Sequence, residues 1–297
     1  MTAGCTRREF LTRAAVGAGA LCLAGRGLAE DEPKSRVIVI KGKDPERMLA
    51  LGLEKLGGLD RFVKPGAKVV IKPNAAWASA PEVGANTMPE VFAACIAACR
   101  KAGAGQVLSP EVPCSKAKEA FGMSGLEEAA AKSGGRLFSP TEFTPTAIPK
   151  GKRLTEALIP ADILENDCLI NLPVAKSHGG ATLTLSMKNW MGSVKDRGFW
   201  HRNDLHQCIA DFSTRITPTF VIIDAMRIML TGGPRGPGKL AYPGQLIFAT
   251  DFVAADAYAA TLFERDPMSI GHIRLADEAG LGRGHPSRWQ AETFEAA

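Results

Sequence analysis

Five short segments are apolar at nearly every interior position, and they constrain the fold more than any other feature of the 297 residues. They are RVIVIKG (36–42), KVVIKPN (68–74), CLINLP (168–173), TFVIID (219–224) and QLIFATD (245–251). A strand with one wet face alternates apolar and polar side chains. A strand without that alternation is buried on both faces, the mark of a mostly parallel sheet with helices on either side. Helical segments fall between the strands as this requires. One runs from about Pro45 to Leu56 and is closed by Gly57-Gly58, and MPEVFAACIAACRKAGA (88–104) opens on Pro89 and stops at Gly103. QVLSP reads as a further strand, with short helices near 115–121 and 124–133. A helix is expected from about Leu183 to Met191, and an amphipathic one over 203–216 with Asn203 or Asp204 as its cap. FVAADAYAATLFE and MSIGHIRLADEAGLG read as closing helices. Residues 141–160 carry three prolines and read as a short antiparallel embellishment. No linker divides the chain, so the expectation is one α/β domain over 30–297.

The first 29 residues read as an address rather than as fold. TRREFLTR supplies Arg7-Arg8 followed by Phe10-Leu11, a short apolar stretch follows, and Gly27-Leu28-Ala29 has the small-x-small form of a cleavage site. This is the pattern of a twin-arginine signal. It implies the twin-arginine translocase as a partner, a periplasmic or otherwise exported product, and a mature start near Glu30. Many passengers of that route load a metal or redox cofactor before export, while others carry none. Losing residues 1–29 removes Arg7, Arg8, Arg13, Arg26 and Glu9, which leaves 32 basic and 30 acidic side chains of the original 36 and 31. The net charge of +5 therefore belongs mostly to the signal. It gives no reason to expect nucleic acid as a partner. No apolar run after residue 30 is long enough to span a bilayer. Five cysteines remain, Cys95, Cys99, Cys114, Cys168 and Cys208, with no CxxC pair. That spacing argues against a built-in ferredoxin-type iron–sulfur motif and against a structural zinc site.

Polar residues gather where the apolar strands stop. KVVIKPN ends in Lys72 and Asn74; CLINLP opens into Lys176 and His178; TFVIIDAMR carries Asp224 and Arg227; LIFATD ends in Asp251, with Asp256 on the next helix. Ligands of open α/β sheets bind outside the carboxyl ends of the strands, so residues distant in sequence can meet there. Lys72, Lys176 and Lys188 with Asn74, Asn189 and Arg227 suit a carboxylate or phosphate. Gly232 and Gly233, in LTGGPRGPG (230–238), permit close backbone approach and read as part of a mobile lid or an anion nest. No Walker or dinucleotide fingerprint is present, so neither ATP nor NAD is expected. His178, His201 and Lys188 are the candidates for proton transfer, because an imidazole titrates near neutral pH. Asp224, Asp251 and Asp256, with histidines, are candidate ligands for a transition metal, although no tight ligand spacing marks such a site.

The blocks VVIKPN, INLPVAKSH, SMKNWMG, DRGFWHRNDLHQCIAD, IIDAMRIMLTGGPRGPG and FATDFVAADAYAA together resemble the bacterial family called domain of unknown function 362, and its exported members especially. The resemblance covers nearly all of the chain after the signal. It implies an α/β fold and places the motif positions, but it supplies no substrate. Some members carry a ferredoxin-like module, whose cysteine spacing is missing here. SHGGATLTLSMK is also similar to the His, Gly-Gly and Lys segment of the nickel-pincer lactate racemases, with different spacing. That similarity implies a dependence on a metallocofactor. The resulting expectation is an exported, cofactor- or metal-dependent enzyme acting on a small anion, an oxidoreductase first and an isomerase next. The alternatives are a periplasmic protein that binds an anion or cofactor without chemistry, and a scaffold that meets a membrane redox partner.

Overall fold

In the computed structural model, which describes residues 34–297, thirteen strands and ten α-helices alternate along the chain. The strands are β1 (Ser35–Lys41), β2 (Lys68–Pro73), β3 (Gln106–Pro110), β4 (Arg136–Phe138), β5 (Thr144–Ala147), β6 (Glu156–Ile159), β7 (Cys168–Leu172), β8 (Val174–His178), β9 (Thr182–Thr184), β10 (Phe220–Met229), β11 (Leu240–Ala241), β12 (Gln245–Ala249) and β13 (Trp289–Glu295). The helices are α1 (Pro45–Lys55), α2 (Pro89–Lys101), α3 (Ala117–Met123), α4 (Leu126–Lys132), α5 (Ala161–Leu164), α6 (Ser186–Asn189), α7 (Arg197–Arg202), α8 (Leu205–Ser213), α9 (Phe252–Thr261) and α10 (Gly271–Glu278). The arginine pair, the apolar stretch and the expected start at Glu30 lie outside the described residues.

The main sheet runs β13-β1-β12-β10-β7-β2-β3-β4, with β8 and β11 paired to β10 and β9 paired to β8. Every neighbouring pair along that path is parallel except the two made by β12. The hairpin of β5 and β6 is the antiparallel embellishment expected near 141–160. Alternate residues of each strand feed opposite faces. Val37, Val39 and Val70 join one core with Trp190, Phe212 and the alanine-rich α9. Ile38, Ile40, Val69 and Ile71 join the other with residues of α1, α2 and α4. Both faces are covered, which is why the strands carry no alternation.

Local chemistry sets the helix ends. Asp44 accepts hydrogen bonds from the backbone N–H groups of Glu46 and Arg47 ahead of α1, and Pro45 fills the first position, where a missing N–H costs nothing. Gly52 lets α1 lie on the sheet, since a Cβ there would stand 2.1 Å from the Phe248 ring. No helix among the described residues is long and apolar enough to cross a membrane.

Four elements differ from expectation. β12 is antiparallel to both neighbours: the connection that leads to it from β10, residues 230–244, contains the Gly- and Pro-rich loop and β11 but no helix. A parallel return usually runs through a helix. The chain does not leave the sheet at Pro173: β7 stops at Leu172, and β8 follows at once, pairs with β10 and puts Lys176 and His178 on a strand. Where a helix is expected over 183–191, the chain forms the end of β9, then the short α6 and a 3-10 turn over Trp190–Ser193. The last segment, WQAETFE, forms β13 at the sheet edge beside β1.

Candidate functional site

The carboxyl ends of β2, β3 and β8 open on one cavity of about 390 Å³, completed by α6, α7 and the 230–238 loop. Its charged and titratable walls are Glu111, Cys114, Lys176, His178, Lys188, Arg197 and His201. A second cavity of about 460 Å³ lies between the β5–β6 hairpin and α7, against Leu154, Val194, Phe199 and Trp200, and no lysine or arginine lines it. Convergent polar groups with displaced pKa values mark the first cavity as the functional candidate.

A chain of amides holds the cavity floor. Asn189 Nδ2 donates to Asn171 Oδ1 at 2.8 Å and to the Lys72 carbonyl at 3.0 Å, and its Oδ1 accepts from Asn74 Nδ2 at 3.0 Å. Asn171 in turn donates to the Ser186 carbonyl at 2.8 Å. Lys176 Nζ donates to Asn74 Oδ1 at 2.9 Å and to the Ala85 carbonyl. These bonds tie β2, β7, β8 and α6 together, so every buried amide has a partner.

α6 is too short to orient itself. Its first two backbone N–H groups, from Ser186 and Met187, donate to the carboxylate of Asp256 on α9 at 2.7 and 3.0 Å. Burial pushes that carboxyl up to about 7. Asp256 is thus a positioning residue for the turn that carries Lys188 and Asn189.

Lys72 lies beneath the floor, fully buried, 2.6 Å from Glu111 Oε2. Its Nζ also donates to the Pro73 carbonyl at 2.7 Å, and Glu111 accepts from the Ala75 N–H at 3.2 Å. Burial pushes both members of this pair toward their neutral forms. Gly192 is required above them, because a Cβ there would stand 2.0 Å from Glu111 Oε1.

Lys188 differs from the other lysines of the site. It is 8% exposed, lines the cavity, and has no hydrogen bond or ion pair among the described residues. Burial lowers it to about 8, with Arg197 and Lys72 adding to the effect against an opposing contribution from Cys114. Burial lowers Lys176 to about 7, and the charge of Lys188 adds to this.

The two histidines stand 6.1 Å apart with nearly parallel rings. His178 Nδ1 accepts from the N–H groups of Gly180 and Ala181 at 3.1 and 3.0 Å, which leaves the proton of the neutral ring on Nε2. Burial, then the charge of Lys188, lowers its pKa to about 3. His201 is also lowered, chiefly by burial. His178 is therefore a neutral donor across the physiological range, and among the cavity walls it is Lys176 and Lys188 that are brought down to about 7 and about 8. The geometry exchanges the roles that free-imidazole chemistry suggests.

Of the residues singled out by sequence, Asn74, Lys176, His178, Lys188, Asn189, His201 and Gly233 line this cavity. Gly233 does so without offering its N–H, which donates to Ser177 Oγ at 3.1 Å, so an anion nest is not formed there. Gly232 packs against the carbonyl of Pro237 instead. Arg227 lies in a separate cavity of about 260 Å³ with Glu82, Glu90 and Tyr242.

The three aspartates do not converge on a metal. Asp224 accepts from the Met88 and Met226 N–H groups, and Asp256 is spent on α6. Asp251 caps α9 through Val253 and Ala254 and accepts from Ser35 Oγ at 2.6 Å, at the start of β1. The reversed direction of β12 puts its end on the far side of the sheet. No group of three His, Cys, Asp or Glu side chains among the described residues could hold a metal ion, so this donor set does not fit a protein-ligated metal.

Sequence reading missed Trp77, Glu111, Cys114, Met191, Gly192 and Arg197 as cavity walls. Glu111 was findable: it directly follows β3, and the rule applied to β2 and β8 applies there too. Arg197 and Cys114 sit on irregular or short elements whose placement no periodicity gives.

The family match decides the identity. The model of the family described as a domain of unknown function, DUF362, matches residues 69–261, which include every wall residue just named. The chain belongs to the DUF362 family. A thylakoid-associated protein of Synechocystis is 29% identical to this DUF362 chain over 250 residues, covering 77% of this chain and 73% of the relative. The lactate racemase apoprotein of Thermoanaerobacterium thermosaccharolyticum aligns in structure with a TM-score of 0.48 at 12% identity, covering 80% of this chain. The DUF362 chain spans 58% of the length of that racemase.

Proposed function

We propose that this protein is an enzyme that binds a small anion in the 390 Å³ cavity and moves a proton on it, with Lys188 and Lys176 as the proton-exchanging groups. The observation that carries this is Lys188, a cationic side chain almost wholly removed from water with no counter-ion among the described residues. Burying a charge without a partner is costly, and the cost is relieved when an anion arrives. Lys176 and Arg197 share the cavity, while the single acid among its walls, Glu111, is already engaged by Lys72. His178 Nε2–H offers a neutral donor to a developing oxyanion. The oxidoreductase expectation rests chiefly on the export signal, whereas the titrating lysines support proton transfer of the isomerase kind.

The first test is calorimetric titration with sulfate, whose charge is constant over the range used. Affinity is expected to fall by roughly tenfold or more from pH 6 to pH 9, because each lysine binds the anion only while protonated and loses its proton through about 7 and about 8. Absence of sulfate binding at pH 6, or an affinity that rises with pH, would sink the anion reading. Deuterium wash-in at the α-carbons of a panel of small hydroxy and oxo acids then separates an enzyme from a binder: binding without lysine-dependent exchange leaves only a binding protein.

Export through the twin-arginine translocase is part of the same proposal, and it rests on Arg7-Arg8 and the segment after them. Replacing both arginines with lysine is expected to retain the full-length chain in the cytoplasm, as read by cell fractionation. Unchanged delivery would remove the export assignment.

A further inference from the structure

Five cysteines are free among the described residues, and four are buried. Contact with Cys99 and burial raise Cys95 well above the ordinary thiol range, and burial pushes Cys168 up to about 12 and Cys208 to about 11. Those thiols stay protonated and out of reach. Cys114 is exposed and stands in the cavity wall.

Its surroundings are ordered around the sulfur. The Cys114 N–H donates to the Ala76 carbonyl at 2.8 Å, which fixes the backbone. Arg197 Nη2 donates to the Pro113 carbonyl at 2.7 Å, and Nη1 of the same guanidinium lies 3.0 Å from Cys114 Sγ. One planar cation is thus clamped between a carbonyl and the thiol. Independently, Lys188 reaches the same cavity buried and unpartnered. Of the groups acting on Lys188, the Cys114 sulfur favours its ammonium form while Arg197 and Lys72 oppose it. An anion drawn to Lys188 and Arg197 arrives beside a nucleophilic atom.

We propose that Cys114 is the nucleophile of this cavity, placed to attack the electrophilic carbon of a small carboxylate held by Lys188 and Arg197. The proposal rests on the anion reading above and adds a substrate class to it. In the step, the S–C bond forms as the bond from that carbon to its leaving group breaks. The electron pair departs with the leaving group, and the thiol proton passes to solvent. Steering by like-signed walls raises the local concentration of an opposite charge by about 10- to 1,000-fold, and salt erodes the effect.

Two reagents of the same chemistry and different charge test this on the intact chain. Iodoacetate is anionic and iodoacetamide is neutral; both alkylate sulfur with loss of iodide. Peptide mass spectrometry gives the rate of each at Cys114, with glutathione in the same buffer as the reference. The ratio of iodoacetate to iodoacetamide rates at Cys114 is expected to exceed the glutathione ratio by about tenfold or more at low ionic strength. It should collapse toward the glutathione ratio in saturating sulfate and in the K188M variant. A ratio in the wild type no higher than that of glutathione overturns the proposal and needs no variant to fold. If that ratio is flat while sulfate still binds, the nucleophile falls and the anion cavity stands. If sulfate does not bind either, both fall.

Discussion

Lys188→Met is expected to weaken sulfate binding by about 30-fold or more while making the protein more stable at neutral pH. The two effects have one cause. Lys188 is buried and unpartnered, with a pKa lowered from 10.5 to about 8, so the folded state pays for its charge. At pH 7, below both values, the whole shift counts and corresponds to a penalty of about 3 kcal/mol, at roughly 1.4 kcal/mol per unit. Methionine fills a similar volume without charge, and such replacements are neutral or stabilising. The pH dependence has a definite sign. Unfolded, the lysine keeps its proton up to its ordinary 10.5; folded, only up to about 8. Between those values the unfolded state binds more protons, so wild-type stability rises with pH through that window; the variant loses the share of the rise due to Lys188 and keeps that due to Lys176. Urea titrations at pH 7 and pH 10 measure both points. Losing an interaction with a desolvated cation costs about 2–5 kcal/mol of binding, so sulfate affinity should drop by about 30-fold or more. A variant that is less stable at pH 7, or that keeps its sulfate affinity, would mean that Lys188 has a structural partner rather than a ligand.

The fold was legible where the signal was burial and hidden where it was direction. Uniformly apolar strands such as Val69–Ile71 and Val221–Ile223 announce a sheet covered on both faces. The same pattern in Leu246–Ala249 says nothing about which way the strand runs, since a buried strand looks alike in either sense. The connection held that information: no helix lies between β10 and β12, and a helix-free return favours an antiparallel neighbour. Asp251 was placed at the site by assuming the wrong direction, and it lies beside Ser35 instead. Pro173 misled in a different way. It lacks a donor, but its carbonyl still accepts from the Asp224 N–H at 2.8 Å, so the chain passes from β7 into β8 without leaving the sheet. For the site, strand-end reasoning found Asn74, Lys176 and His178. It could not rank them, because rank depends on burial and partners. Lys72 and Lys188 look alike in sequence; one is paired with Glu111 below the floor, and the other faces the cavity with nothing.

The Lys72–Glu111 pair carries the second large effect. Lys72→Met is expected to cost about 3–5 kcal/mol, because it strands the Glu111 carboxylate in a site from which water is excluded. Glu111→Leu strands the Lys72 ammonium and should cost a comparable amount. The double variant removes both charges and should return to within about 1–2 kcal/mol of wild type in urea, giving a coupling energy of opposite sign to the single losses. Sulfate separates structural from electrostatic roles in the same set. The pair is neutral as a whole, with Nζ and Oε2 at 2.6 Å, so its joint removal leaves the cavity charge unchanged. Sulfate affinity should therefore survive in the double variant, weaken where only Lys72 is lost, and tighten where only Glu111 is lost. A double variant that folds but no longer binds sulfate would place Glu111, or the pair itself, in contact with the ligand. A double variant as unstable as either single change would mean that the ends of β2 and β3 depend on the hydrogen bonds to Pro73 and Ala75 more than on the cancellation of charge.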